Sequence, residues 1–116
     1  MTRDNWHILR DGPVLTLARR LPVRFDFCVD TQFPVCGRLR LARQIRQDMW
    51  RSLQTLNGFA PVIRVERAGD RLQVRAGGQV DRAFPRQKSE DMLSALLSDP
   101  AYRARWVAYA GGGRHA

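Results

Sequence analysis

The sequence predicts an α+β fold: a mostly antiparallel sheet of about five strands, in the order β-β-β-α-β-β-α-α, with helices packed on one face. Three observations predict it. Two pairs of alternating apolar segments are each joined by a short glycine-containing turn. The stretch from Val23 to Val29 alternates apolar and polar residues. The stretch from Arg38 to Leu56 instead carries its apolar residues at steps of three and four. Period two marks a half-buried strand, and period 3.6 an amphipathic helix.

The elements follow in order. Trp6 to Arg10 meets Asp11-Gly12 and then Pro13 to Leu17. Asp-Gly between two apolar runs favours a two-residue hairpin turn. That turn would pair Ile8 with Leu15 and Trp6 with Leu17 on one face, with Pro13 at the first position of its strand. The next strand sets Val23, Phe25, Phe27 and Val29 on the core face. Arg24, Asp26, Cys28 and Asp30 lie on the other. Thr31 to Gly37, with Pro34, reads as a loop. In the helix, Ala42, Ile45, Met49, Leu53 and Leu56 form the buried stripe. Asn57-Gly58 ends it, Gly58 being suited to a left-handed cap.

In a second hairpin Ile63 and Val65 alternate with Arg64 and Glu66, and Leu72, Val74 and Ala76 alternate with Gln73 and Arg75. Opposed residues share a face only if the loop holds an even number of residues, which Gly69-Asp70 as a two-residue turn satisfies, as does a four-residue loop. This strand is expected to end at Gly77-Gly78, and Gln79 to Gln87 reads as a loop. Ser89 is expected to cap a helix whose apolar side is Met92, Leu93, Leu96 and Leu97. Asp99 caps a last helix with Pro100 in its first turn. That helix carries Tyr102, Trp106 and Tyr109 on one face. The β-α-β-β-α order from Val23 to Leu97 resembles a ferredoxin-like plait without its last strand. This is a likeness of element order alone, and it implies no function. The expected organisation is one domain over residues 1–110 and a flexible C-terminal tail over 111–116, beginning at the triple glycine.

Composition narrows the function classes. The chain has 116 residues, 44% hydrophobic and 27% charged, an ordinary globular balance. No apolar run reaches the ~18 residues of a membrane span, and residues 1–5 lead into a polar-apolar alternation rather than a signal sequence. The expected compartment is the cytoplasm. The formal net charge is +9. It is spread along the chain, and a field of this sign favours acidic partners. Cys28 and Cys36 match no zinc or redox spacing, and only His7 and His115 are at hand to complete a ligand set. They are expected to be free thiols.

Catalytic signatures are missing. No nucleophile elbow, HExxH or phosphate-loop motif is found. Asp26 and Asp30 share a strand face but lie about 13 Å apart along it, too far to act together directly. They read as solvated strand carboxylates, and His7 as a polar residue of the outer hairpin face. No catalytic residue, metal or cofactor is implied.

The most informative surface is the outer side of the helix. At 100° per residue, Arg40, Arg43 and Arg51 project opposite Ile45, with Gln44, Gln47 and Gln54 among them, within about a third of the circumference. Asp48 lies toward their edge. Trp50 projects between Arg43 and Arg46 at the margin of the stripe. Arginine, with an aromatic beside it, is the chemistry of binding surfaces. Trp6, Trp106, Tyr102 and Tyr109 are further interface candidates, and the strands around Leu15 and Val74 are edge candidates.

The expectation is therefore a small basic non-catalytic binding protein, an accessory or assembly factor for an acidic protein partner or complex. Arg40, Arg43, Arg46, Trp50 and Arg51 form the expected partner-binding surface. The alternative is RNA or DNA binding through the Arg-rich helix 38–56, with arginine for phosphates and amides for base edges. A sheet platform for RNA is disfavoured, because Phe25 and Phe27 are expected in the core. A small enzyme of unrecognised type is the second alternative, and self-association is left open.

Overall fold

The sheet is built in the order β1-β2-β4-β5-β3, every neighbouring pair antiparallel. The structure is a computed structural model, and it describes residues 6–111. Its strands are β1 (His7–Asp11), β2 (Val14–Ala18), β3 (Phe27–Pro34), β4 (Ala60–Ala68) and β5 (Arg71–Gln79). Its helices are α1 (Arg38–Leu53), α2 (Arg86–Ser98) and α3 (Pro100–Tyr109). The α+β class and the element order are those the sequence predicts. Residues 1–5 and 112–116, including most of the expected C-terminal tail, lie outside the described residues.

Alternation decides which side of the sheet is covered. Leu15 and Leu17 of β2, Ile63 and Val65 of β4, and Leu72, Val74 and Ala76 of β5 are all buried in one cluster. Phe27 and Phe33 of β3 join them, as do Ile45, Met49 and Leu53 of α1 and Leu93 and Leu97 of α2. Each such large side chain contributes roughly 1.5–3 kcal/mol by leaving water. α1 packs on β2 and β4, α2 on β3, and α3 on both helices. β3 and β4 are each antiparallel to β5 and hence parallel to each other, so β3-α1-β4 is a split β-α-β unit.

Several sequence expectations need correction. The first hairpin turns at Gly12-Pro13, not Asp11-Gly12, so Asp11 faces Val14 and Ile8 faces Leu17. Gly12 takes a φ of 57°, which a two-residue hairpin turn demands of its first residue. Pro13 thus sits in the turn, and its carbonyl accepts from Arg67 N–H at 3.0 Å. The edges of the sheet are β1 and β3; β2 and β5, the strands of Leu15 and Val74, are internal.

The third strand starts later and runs further than its alternation suggests. Residues 19–26 must first cross the ends of β4 and β5, three strand spacings, to reach the far edge. Val23 and Phe25 lie in this crossover and are only half-buried. Phe25 lies against the Arg75 guanidinium, 6.0 Å from its ring centre, on the sheet face away from the helices. Thr31 to Pro34, expected as loop, pair with Val74 to Arg71, and Phe33 is buried.

Gly77 and Gly78 do not end β5 but lie inside it. A Cβ at Gly77 would strike the Phe27 carbonyl well inside the 3.0 Å that real Cβ atoms respect, and one at Gly78 would strike that of Ala60. The glycines let both flanking strands close on β5. Asp26 anchors the end of the crossover. Its N–H donates to Gly78 C=O at 2.8 Å, and its carboxylate accepts from Val80 N–H at 2.8 Å and from Arg24 at 2.9 Å.

At the helices, α1 stops at Leu53, with Gly58 left-handed (φ 67°) in the turns beyond it. α2 begins at Arg86, so Ser89 is not its cap. It is buried one turn in and donates to Pro85 C=O at 2.8 Å. Met92 is exposed, unlike Leu93, Leu96 and Leu97. Asp99 caps α3 as expected, accepting from Ala101 N–H and Tyr102 N–H. On α3, Trp106 is buried and Tyr109 exposed. Cys28 and Cys36 are free thiols. Cys28 lies near the start of β3 and Cys36 beyond its end, and the extended stretch from Cys28 to Pro34 alone spans about 20 Å, far beyond disulfide reach. Burial raises both thiols above the usual cysteine range.

Two outcomes follow from this geometry. Gly77→Val should destabilise by at least ~3 kcal/mol, the upper end of ordinary substitutions, because backbone rather than side chain must yield; urea denaturation measures it. Hydrogen bonds from Arg24 and from Val80 N–H hold the Asp26 carboxyl below the usual carboxylate range. A lowered folded-state value gives stability that is full above the unfolded value near ~3.9 and is lost as pH falls through the folded value. Melting temperatures of the wild type and Asp26→Asn should therefore differ at neutral pH and converge in acid below that point.

Candidate functional site

α1 presents three different sides. Its buried arc holds Leu41, Ala42, Ile45, Asp48, Met49 and Leu53. Its outward side holds Arg40, Arg43 and Gln47, all exposed. Its two flanks face different neighbours, and these flanks determine what the helix offers.

On one flank is Asp48. The sequence places it at the edge of the charged face; the structure buries it, only 5% exposed. One carboxylate oxygen accepts from Trp106 Nε1 at 2.7 Å and from Arg105 at 2.6 Å; the other accepts from Arg51 at 3.3 Å. A buried carboxylate stays in place only when paired and hydrogen-bonded, and here three donors surround it. Arg51, expected in the partner-binding set, is thereby directed toward Asp48 and Arg105.

On the other flank is a cleft of about 470 Å³. α1 contributes Arg46 and Trp50, β4 contributes Pro61, and Phe59 stands just before that strand. Trp6, before β1, and Arg19 and Arg20, in the β2–β3 crossover, close the other side. Trp50 is 44% exposed, and its ring stacks on Phe59, with centroids 6.2 Å apart and planes 7° from parallel. The Arg46 guanidinium lies 4.8 Å from the centre of the Trp6 ring, and that of Arg19 lies 5.9 Å from it. Contacts of this kind are cation–π attractions. Arg20 is held by Asp81 through two hydrogen bonds of 2.8 and 3.0 Å.

The distribution of partners separates the arginines. Arg20, Arg24, Arg51, Arg64, Arg75, Arg86 and Arg105 each form an ion pair. Arg103 instead donates to Thr31 Oγ1, Leu97 C=O and Gln32 C=O, and so covers the free edge of β3. Desolvation there lowers its pKa. Arg40, Arg43 and Arg46 have no carboxylate partner among the described residues, and the Nε of Arg46 is buried without an acceptor.

Of the five residues expected to bind, the structure thus keeps Arg40 and Arg43 outward, brings Arg46 and Trp50 into the cleft, and ties Arg51 to the opposite flank. Sequence reasoning missed Trp6, Arg19, Arg20, Phe59 and Pro61 as neighbours of these two. Their meeting depends on the path of the crossover, which no local pattern encodes.

The remaining candidates separate. Asp30 pairs with Arg75 at 2.7 Å and Asp26 with Arg24, so the two carboxylates do not form an acid–base pair. His7 is exposed on β1. No group of three metal-ligating side chains occurs among the described residues, and no helix among them is long and apolar enough to cross a membrane. No family model matches the chain, and no curated protein or solved structure shows significant similarity to it.

Asp48 yields a direct test of how α1 is held. Asp48→Ala should cost about 3–5 kcal/mol, because it strips a buried network of its common acceptor. Unfolding in urea, followed through the near-UV signal of Trp106, measures it.

Proposed function

We propose that this protein is a non-catalytic binding protein for an acidic protein partner, which it engages through the outer face of α1 and the cleft beside Trp50. The observation that carries this reading is the contrast among arginines. Among the described residues, seven arginines form ion pairs, while Arg40, Arg43 and Arg46, successive along one helix, form none. Unpaired guanidinium groups on rigid helix positions keep their Coulomb attraction for an incoming anion. Trp50, exposed beside them, supplies the apolar anchor that arginine needs to give a tight protein contact.

The same contrast favours protein over nucleic acid. Tracking a phosphate backbone takes a continuous groove of free cations. Here the cations around α1 are interrupted by Asp48 on one side and Asp81 on the other, each already bound to arginine. The open sheet face is no platform for bases either. It carries the Arg75–Asp30 and Arg64–Glu66 pairs, with only the half-buried Phe25 at its margin.

The experiment is purification from the native source at low salt, with nuclease treatment, comparing wild type and Arg40→Glu/Arg43→Glu. The double reversal should leave stability within about 0.5 kcal/mol per site, as for exposed substitutions generally. An acidic protein should accompany the wild type through nuclease treatment and be lost from the variant, most completely at low salt. Material that nuclease removes, with log affinity falling linearly in log salt by roughly 0.7–0.9 per phosphate contact, would establish nucleic acid instead.

A further inference from the structure

We infer that the cleft between α1 and the β2–β3 crossover is a recognition pocket for one carboxylate side chain and an adjacent aromatic or branched apolar side chain of an acidic peptide segment. The inference rests on the protein-partner reading above and names the chemistry of its central contact.

The cleft has two unlike walls. One is cationic: Arg46 and Arg19 both approach the Trp6 ring, at 4.8 and 5.9 Å. The charge that reads an anion is that of Arg46. No carboxylate among the described residues pairs with it, its guanidinium lies on the Trp6 ring face, and its Nε–H is buried with no acceptor. The second wall is aromatic: Trp50 and Phe59 lie nearly parallel, and Trp50 leaves almost half its surface open. An apolar side chain laid on that wall gains burial while its neighbour reaches the guanidinium.

Size and charge narrow the occupant. A volume of about 470 Å³ lies within the range of small-ligand pockets and holds a pair of side chains rather than a helix. The net positive charge is also small, because the fork of Arg20 is already filled by both oxygens of Asp81. A monoanionic carboxylate matches this better than a phosphate run.

Indole resonances supply the test. Trp6 and Trp50 line the cleft, while Trp106 is buried with its Nε1–H bonded to Asp48, so it reports the fold alone. The probe is an N-acetylated, C-amidated tetrapeptide with one glutamate beside one phenylalanine, titrated into the full chain. The comparison ligands are the same peptide with glutamine, inorganic phosphate and oligothymidylate. The Trp6 and Trp50 indole cross-peaks should move saturably with the glutamate peptide while that of Trp106 stays fixed. Affinity should fall at least about tenfold with the glutamine peptide and with Arg46→Gln.

Equal response to the two peptides overturns the inference, since the anion is then not read. Movement confined to the Arg40 and Arg43 amides overturns the pocket but leaves the binding face of α1 standing. Tighter binding of oligothymidylate or phosphate at the same indoles overturns both readings. Should Arg46→Gln lose the Trp106 resonance position, Trp50→Ala replaces it at an exposed position. A tenfold loss there supports the pocket, and unchanged affinity sinks it.

Discussion

The carboxylate of Asp48 fixes the orientation of α1, and the surface of the molecule follows from it. An amphipathic helix on a sheet is free to roll by a fraction of a turn at small cost, because apolar contacts have no direction. Hydrogen bonds have direction. Trp106 Nε1 and Arg105 of α3 both reach Asp48 Oδ2, and the N–H of Gly37 donates to Ala110 C=O at 2.9 Å where α3 ends against the start of α1. α1 is thus tied to α3 at two points along its length. With its roll set, Arg40 and Arg43 must point outward and Arg46 and Trp50 must face the crossover.

The second constraint is the passage of residues 19–26 from β2 to β3. Inserting β4 and β5 between two strands that follow one another in sequence obliges the chain to cross the end of the sheet. Arg19 N–H donates to Pro61 C=O at 3.1 Å at the start of the crossing, and Asp26 binds Gly78 and Val80 at its finish. Between them Arg20 is braced by Asp81. One wall of the cleft is therefore a by-product of topology, and its opposite wall is a by-product of helix roll. Neither wall is a local motif, and no compact signature in the chain could announce the pair.

This explains what was legible in the sequence. The Gly69-Asp70 hairpin appears in the register its alternation implies, because a one-residue slip would move Ile63, Val65, Leu72 and Val74 from the core to water. The α1 stripe was legible for the same reason. Asp48 falls at the edge of the charged face only when Leu41 is not counted in that stripe. The two are seven residues apart, only about 20° on a helical wheel, so burial of Leu41 brings Asp48 with it. Phe25 departs from its expected core position for a different cause: alternation persists from Val23 to Val29, but pairing with β5 begins at Phe27. Period two reports which residues could share a face; it does not report where a partner strand starts. Gly77-Gly78 reads as a strand end by propensity, whereas close approach of two backbones makes glycine necessary inside the strand.

An excess of arginine says little until its partners are assigned. The exposed pairs on this surface, such as Arg24–Asp26 and Arg75–Asp30, add little stability each, since exposed ion pairs are worth about 0–1 kcal/mol. Their larger effect is to cancel field. Wherever a carboxylate sits beside an arginine, the local potential approaches zero, and association forces there are short-ranged. Arg40, Arg43 and Arg46 keep their charge because no carboxylate among the described residues pairs with them. The placement of acidic residues therefore shapes the positive surface as much as the arginines do. By the same logic, an acid introduced next to Arg46 would satisfy from within what the cleft otherwise offers to a partner.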